Sequence, residues 1–257
     1  MRFANFYALT LSLSLVLCST YCAGPVKIRQ PAAKLHLQTD TLKKVRLGSE
    51  NLILNHLNIV RSKRIGLLTN SAGVTSELQS SIELFYNNKE INLVALFSPE
   101  HGIRGTAYAG DTINDEIDPM TGLKIYSLYS KRRIPDAKML ENIDIIIIDL
   151  QDTGIRSYTY IYSMAEMMKA AARYEKEIII LDRPNPLGGL QIEGNILDTA
   201  FASFVGMYPI PYRYAMTIGE LARFFNEEFN IGCKLTVIPM LNWIREMYWK
   251  DTGLQWT

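Results

Sequence analysis

The 257 residues are 48% hydrophobic, enough to bury at least one complete core. Lys and Arg total 27 against 26 Asp and Glu, a formal net charge of +1, and the longest basic run in the central part is Lys131-Arg132-Arg133. So balanced a chain offers no field for nucleic acid or an anionic membrane surface, and neither is expected as a partner.

The first two dozen residues differ in kind from the rest. Arg2 supplies one early charge, an apolar and hydroxylated stretch runs to Leu17, small residues follow, and no further charge appears before Lys27. This pattern reads as a secretory signal over residues 1–23, cut near Cys22 or Ala23, and it is too short and too rich in Ser and Thr for a membrane span. The expectation is an exported protein, periplasmic or extracellular, with no transmembrane segment after signal removal. Lipid anchoring at Cys18 is the alternative, although "LVLC" lacks the small residue usually wanted before such a cysteine. Removing the signal leaves Cys233 alone, so no internal disulfide can form, and in "IGCKLTVIPM" it reads as a core thiol.

Residues 24–46 are mixed and polar, a tail ahead of a domain expected over 47–257. Helical and strand patterns then alternate. "SENLILNHL" has a cap-like Ser49 and apolar positions at helical spacing; "RIGLLTN" is a short apolar run. "LQSSIELFYNN" is helical again and "INLVALF" is a strand. "DIIIID" and "EIIILD" are buried strands on either side of "YIYSMAEMMKAAARYEK", an amphipathic helix. "TIGELARFFNEEF" opens with Thr217 and Glu220 at capping-box spacing, and "KLTVIPM" closes the series. Continuous β-branched runs between helices predict an α/β fold, Rossmann-like and three-layered, around a mainly parallel sheet.

In such sheets ligands bind outside the carboxyl ends of the strands. Each apolar run here is followed by polar residues: Thr69-Asn70, then Glu100, His101 and Arg104, then Gln151, Asp152 and Arg156, then Asp182, Arg183 and Asn185. A polar cleft on that edge is the natural reading, its backbone shaped by Pro99, Gly102 and Gly105. The chain has no GxGxxG after a strand, no P-loop, no GxSxG elbow and no HExxH, and only three histidines. Neither dinucleotide nor P-loop phosphate binding is indicated, and no histidine-based metal site is expected.

What remains is acid/base chemistry by carboxylates. Glu100, in a partly desolvated turn, is expected to have a raised pKa suited to a general acid. Asp152 and Asp182 can serve as base, nucleophile or sugar-hydroxyl acceptor, and Arg156 or Arg183 can clamp a substrate carboxylate. Tyr158, Tyr160 and Tyr162 alternate in "SYTYIYS" and can stack on a sugar or fill the core. Taken singly, each of these is more readily structural than functional: an Asp after a strand often caps a helix, and "RPNP" can be a rigid turn. Four polar strand ends on one edge favour a site.

"LFSPEHGIRG", "IDPMTGLKIYSLY", "IDLQDTGIRSYTYI", "LDRPNPLGG" with Glu193-Gly194, "FVGMYPIPYRYAMTIGELA" and "GLQW" occur in that order. In this ordered set the chain resembles the NamZ-type exo-β-N-acetylmuramidases over about Leu47 to Thr257. The resemblance implies a glycoside hydrolase that releases terminal N-acetylmuramic acid from the non-reducing end of peptidoglycan fragments. It also implies a Rossmann-like domain joined to a smaller C-terminal one, and no cofactor or metal. Glu100 would be the catalytic acid, with His101 and Asp152 beside it. Asn70, Arg104, Gln151, Arg156, Tyr158, Tyr160, Asp182, Arg183, Asn185 and Glu193 would line the sugar site, and an arginine would read the lactyl carboxylate.

Two departures stand out. Tyr214-Ala215 replaces a frequent His-Gly, and the family pattern continues past "GLQW" whereas this chain stops at Thr257. A C-terminal domain is accordingly expected to be missing. The alternatives are a saccharide-binding protein without turnover, an inactive fragment, and an exported scaffold.

Overall fold

The computed structural model describes residues 44–257 apart from 109, 130 and 131. The expected signal, the lipidation alternative at Cys18 and most of the expected tail lie outside the described residues. Packing begins just ahead of the expected boundary, since Val45 is buried and Arg46 bridges Leu241.

Apolar runs too short for helices, bounded by turn residues, form the strands. They are β1 (Arg64–Thr69), β2 (Asn92–Ser98), β3 (Glu116–Ile117), β4 (Lys124–Ser127), β5 (Ile145–Asp149), β6 (Glu177–Leu181), β7 (Glu193–Ile196), β8 (Pro211–Arg213) and β9 (Lys234–Ile238). The helices are α1 (Gly48–Asn55), α2 (Ser81–Tyr86), α3 (Ala137–Leu140), α4 (Tyr160–Arg173) and α5 (Ile218–Glu228). Seven strands make one sheet in the order β3-β4-β2-β1-β5-β6-β9. All its pairings are parallel except that of β3 with β4; β7 and β8 form a separate antiparallel pair.

Alternation along each strand splits the core between the two sheet faces. Ile146, Ile148, Ile178 and Ile180 pack with Met164, Met168, Leu221 and Phe225 from α4 and α5. Ile145, Ile147, Ile179 and Leu181 pack with Leu52, Ile82 and Phe85 from α1 and α2. This is the expected three-layer arrangement, with the two isoleucine runs adjacent and parallel. Each large apolar side chain buried this way contributes about 1.5–3 kcal/mol before conformational entropy is charged.

The capping box of α5 forms as expected, Thr217 accepting from Glu220 N and Glu220 accepting from Thr217 N. The start of α1 differs from expectation. Leu47, not Ser49, holds the cap position, and the Glu50 carboxylate accepts its N–H at 2.8 Å. Gly48 fixes the helix start, because its N–H donates to Asp182 O and a Cβ there would lie 2.3 Å from Asp182 N. No helix among the described residues is long and apolar enough to cross a membrane.

Strand order decides where a cleft can open. From β1 the chain goes to β2 on one side and later returns to β5 on the other. The sheet's connectivity therefore reverses between β1 and β5, the position at which open α/β sheets bind ligands.

Candidate active site

A cleft of about 440 Å³ opens at that reversal, within the range of about 300–1,000 Å³ typical of small-molecule sites. Asn70 from the end of β1, Glu100 and His101 from the turn after β2, and Gln151 and Asp152 from the end of β5 all line it. Tyr158 and Tyr160 join them at the start of α4. Asn70 spans the reversal: its Nδ2 donates to Gln151 O at 3.0 Å and its Oδ1 accepts from Gln151 N at 3.5 Å.

The turn carrying Glu100 is tightly coiled. His101, Gly102 and Gly105 have φ of 69°, 77° and 67°, and a left-handed histidine in such a turn is a locally strained conformation. His101 Nδ1 bonds Ala107 O at 3.0 Å, which fixes the ring against its own loop. Glu100 is 9% exposed, and its Oε2 accepts the Thr159 hydroxyl at 2.8 Å.

Burial pushes the Glu100 carboxyl up, but hydrogen bonds from Tyr129, Thr159 and Gly110 and the charge of His101 outweigh it. The net direction is down, which corrects the sequence expectation of a raised value. Desolvation was rightly anticipated; the donors were not visible in the motif. Thr159 stands at the N-cap of α4 yet makes no cap bond, its hydroxyl being committed to Glu100. The carboxylate thereby sits at a helix N-terminus, where negative charge is favoured.

Asp152 is the opposite case. It is 5% exposed, and burial pushes its carboxyl up to about 6 against hydrogen bonds from Tyr214, Gly154 and Thr153. Oδ2 accepts from Gly154 N at 2.8 Å and from the Tyr214 hydroxyl. Gly154 has φ 85° and lies so close to Asn185 that a Cβ would meet its Oδ1 at 2.2 Å, so only glycine fits this turn.

Six of the expected site residues are absent from the cleft, each for a visible reason. Arg183 is 2% exposed and forms a bidentate pair with the buried Asp149, at 2.7 and 2.9 Å, while also donating to Val74 O. Arg156 donates to Asn195 O and Ile210 O, tying the loop after β5 to the hairpin of β7 and β8. Arg104 pairs with buried Asp118. Asp182 accepts from Arg183 N, Gly219 N and the Thr217 hydroxyl, which anchors the start of α5. Asn185 bridges Met216 O and Leu187 N. Glu193 is exposed on β7 and paired with Arg213. Among the described residues, no arginine lines the cleft. Tyr162 goes to the core, its hydroxyl donating to Arg156 O at 2.7 Å.

The lining also contains residues that sequence reasoning missed: Ser71, Thr153, Ser157, Thr159 and Trp256. Tyr129 and Tyr214 act on the two carboxyls from outside the lining, and Tyr214 had registered only as a departure from a pattern.

The family described as "Exo-beta-N-acetylmuramidase NamZ, N-terminal" matches residues 65–257. The peptidoglycan β-N-acetylmuramidase NamZ of Bacillus subtilis (strain 168) is 51% identical over 217 residues, which cover 84% of this chain and 52% of that protein. The crystal structure of a DUF1343 family protein of Bacteroides fragilis NCTC 9343 superposes with a TM-score of 0.76 at 45% identity, covering 83% of this chain and 54% of the other. A second DUF1343 family protein from the same strain gives 0.69 at 38% identity, covering 80% and 54%. The chain thus spans about half the length of the relatives it matches.

Proposed function

The chain belongs to the NamZ exo-β-N-acetylmuramidase family, and from that premise we propose that its cleft carboxylates serve a glycoside hydrolase reaction. The substrate is a peptidoglycan fragment, from whose non-reducing end a terminal N-acetylmuramic acid is released. The observation that carries this reading is Glu100, a nearly buried carboxylate held by hydroxyl donors in a cleft at the reversal of strand order.

Glu100 is the proton donor to the glycosidic oxygen, with His101 and Asp152 as its neighbours in the cleft. Its hydrogen-bond donors in the protein favour the ionised form. A saccharide that expels water and brings its own carboxylate raises that pKa, by desolvation and like-charge repulsion, so the proton is acquired in the complex. The basic limb of kcat should consequently lie at higher pH than that of kcat/KM, which reports the free protein. The saccharide meets neutral donors such as Asn70, Ser71 and Tyr160 in place of a guanidinium. Export to the periplasm or beyond is part of the same proposal, supported by Arg2 and the uncharged stretch after it.

The test is turnover of a muramic-acid-capped disaccharide carrying an unactivated leaving group. It is measured on this chain and on a chain extended to the relatives' full length. Glu100→Gln preserves shape and removes the proton, so kcat should fall roughly 10²–10⁴-fold with little change in affinity. Near-normal turnover by Glu100→Gln sinks the assignment. Binding by calorimetry with no turnover in either chain would make the protein a saccharide binder.

A further inference from the structure

Three residues that line the cleft carry buried polar atoms that the fold leaves unused. Gln151 Oε1, Asp152 Oδ1 and Thr153 Oγ1 are shielded from solvent and make no well-formed hydrogen bond among the described residues. They belong to three consecutive residues, all lining the cleft. An unmatched buried polar atom is destabilising, so three in succession call for a use.

The other ends of the Gln151 and Asp152 side chains are committed. Gln151 Nε2 donates to Asp152 O at 2.8 Å and Pro184 O at 3.1 Å, so the amide cannot flip and Oε1 stays an acceptor. Asp152 Oδ2 is held by Gly154 N and by Tyr214, itself only 3% exposed. Burial, with the Asp152 charge and hydrogen bond, keeps the Tyr214 phenol well above its ordinary pKa, so it remains a donor at any physiological pH.

The geometry points to Tyr214 as the positioning residue of a donor-binding subsite: by holding Asp152 Oδ2, its hydroxyl presents Oδ1, together with Gln151 Oε1, to the hydroxyl or amide hydrogens of a saccharide. This deepens the hydrolase reading and rests on its substrate class, not on turnover. The titratable groups that act with the Asp152 carboxyl are Tyr160 and Tyr162 of α4 and Tyr214, and its own titration is governed by burial and hydrogen bonds. Protonating Asp152 abolishes a pure acceptor, so saccharide affinity should drop as pH falls through about 6. Without the Tyr214 donor the carboxyl is pushed higher, and the same loss should occur nearer neutrality.

The experiment follows the Asp152 carboxyl carbon by NMR in aspartate-labelled protein, assigned with Asp152→Asn, beside the affinity for N-acetylmuramic acid and N-acetylglucosamine from pH 5 to 8. Tyr214→Phe should move both the titration and the affinity midpoint upward by about one unit or more, and Tyr214→His, which keeps a donor, should reverse part of the shift. A folded Tyr214→Phe with neither midpoint moved overturns the proposal, as does a failure of the wild-type chain to bind either sugar. Should Tyr214→Phe not fold, Asp152→Asn decides. Affinity that still drops as pH falls through about 6 in that variant overturns the proposal, and an affinity that no longer drops there supports it. Binding with the predicted pH dependence but no turnover removes the hydrolase reading alone.

Discussion

The ends of β5 and β6 look alike in sequence and behave in opposite ways. After β5 come Gln151 and Asp152, which line a cleft and each keep one buried oxygen without a well-formed hydrogen bond among the described residues. After β6 come Asp182, Arg183 and Asn185, whose side chains are taken up by Gly219, Thr217, Asp149, Val74, Met216 and Leu187. The difference is one strand's distance from the reversal of connectivity. Beside the reversal the loops diverge and leave room; beyond it, α5 and the loop after β1 close over the strand end and use its polar groups. A polar strand end becomes a site only where its neighbours leave its hydrogen bonds unclaimed.

The sharpest way to break this comparison is Arg183→Ala. It leaves the fully buried Asp149 with an uncompensated charge, so unfolding free energy should fall by about 3–5 kcal/mol, while the folded fraction keeps its saccharide affinity. Chemical denaturation beside calorimetry checks both halves. Intact stability with lost affinity would move Arg183 back into the site.

A smaller effect tests what the two aspartates share. Burial pushes both Asp152 and Asp182 up to about 6, so each favours the neutral form in the folded state. Their contribution is fully present below the unfolded value of about 4 and is lost as pH rises through about 6. Between pH 5 and 7 stability should therefore decline by about 1 kcal/mol for each group, and Asp152→Asn with Asp182→Asn should flatten that decline. Urea titrations across the interval measure it. A slope unchanged in the double variant would mean that neither carboxyl titrates there.

The smallest expected effect lies next to Tyr214. Ala215 has φ 53°, a left-handed conformation that glycine adopts without penalty. Ala215→Gly should stabilise the chain by about 0.5–1 kcal/mol with no change in the Asp152 titration. A destabilised Ala215→Gly would show that the methyl group's packing outweighs the backbone strain.

These particulars explain what could be read in advance. The strands were legible because runs such as Ile145–Ile148 and Ile178–Leu181 satisfy two buried faces, a pattern with few other solutions. That Asn70, Glu100, Gln151 and Asp152 share a cleft followed from their positions after strands. That Arg183 does not follow them depended on Asp149 lying opposite it, a pairing across 34 residues with no local signature. The lowered pKa of Glu100 was hidden for the same reason, since Tyr129 and Thr159 reach it from other segments.

Asn70 carries a consequence of its own. The backbone ladder between β1 and β5 stops at Thr69 and Asp149, and the Asn70 amide then supplies one more rung from a side chain, donating to and accepting from Gln151. A side-chain rung holds two strands at ladder spacing while freeing one main chain to turn away. The depth of the cleft is thus gauged by a single amide, and a residue there that can only donate, or only accept, would unfasten the seam without touching the sheet beneath it.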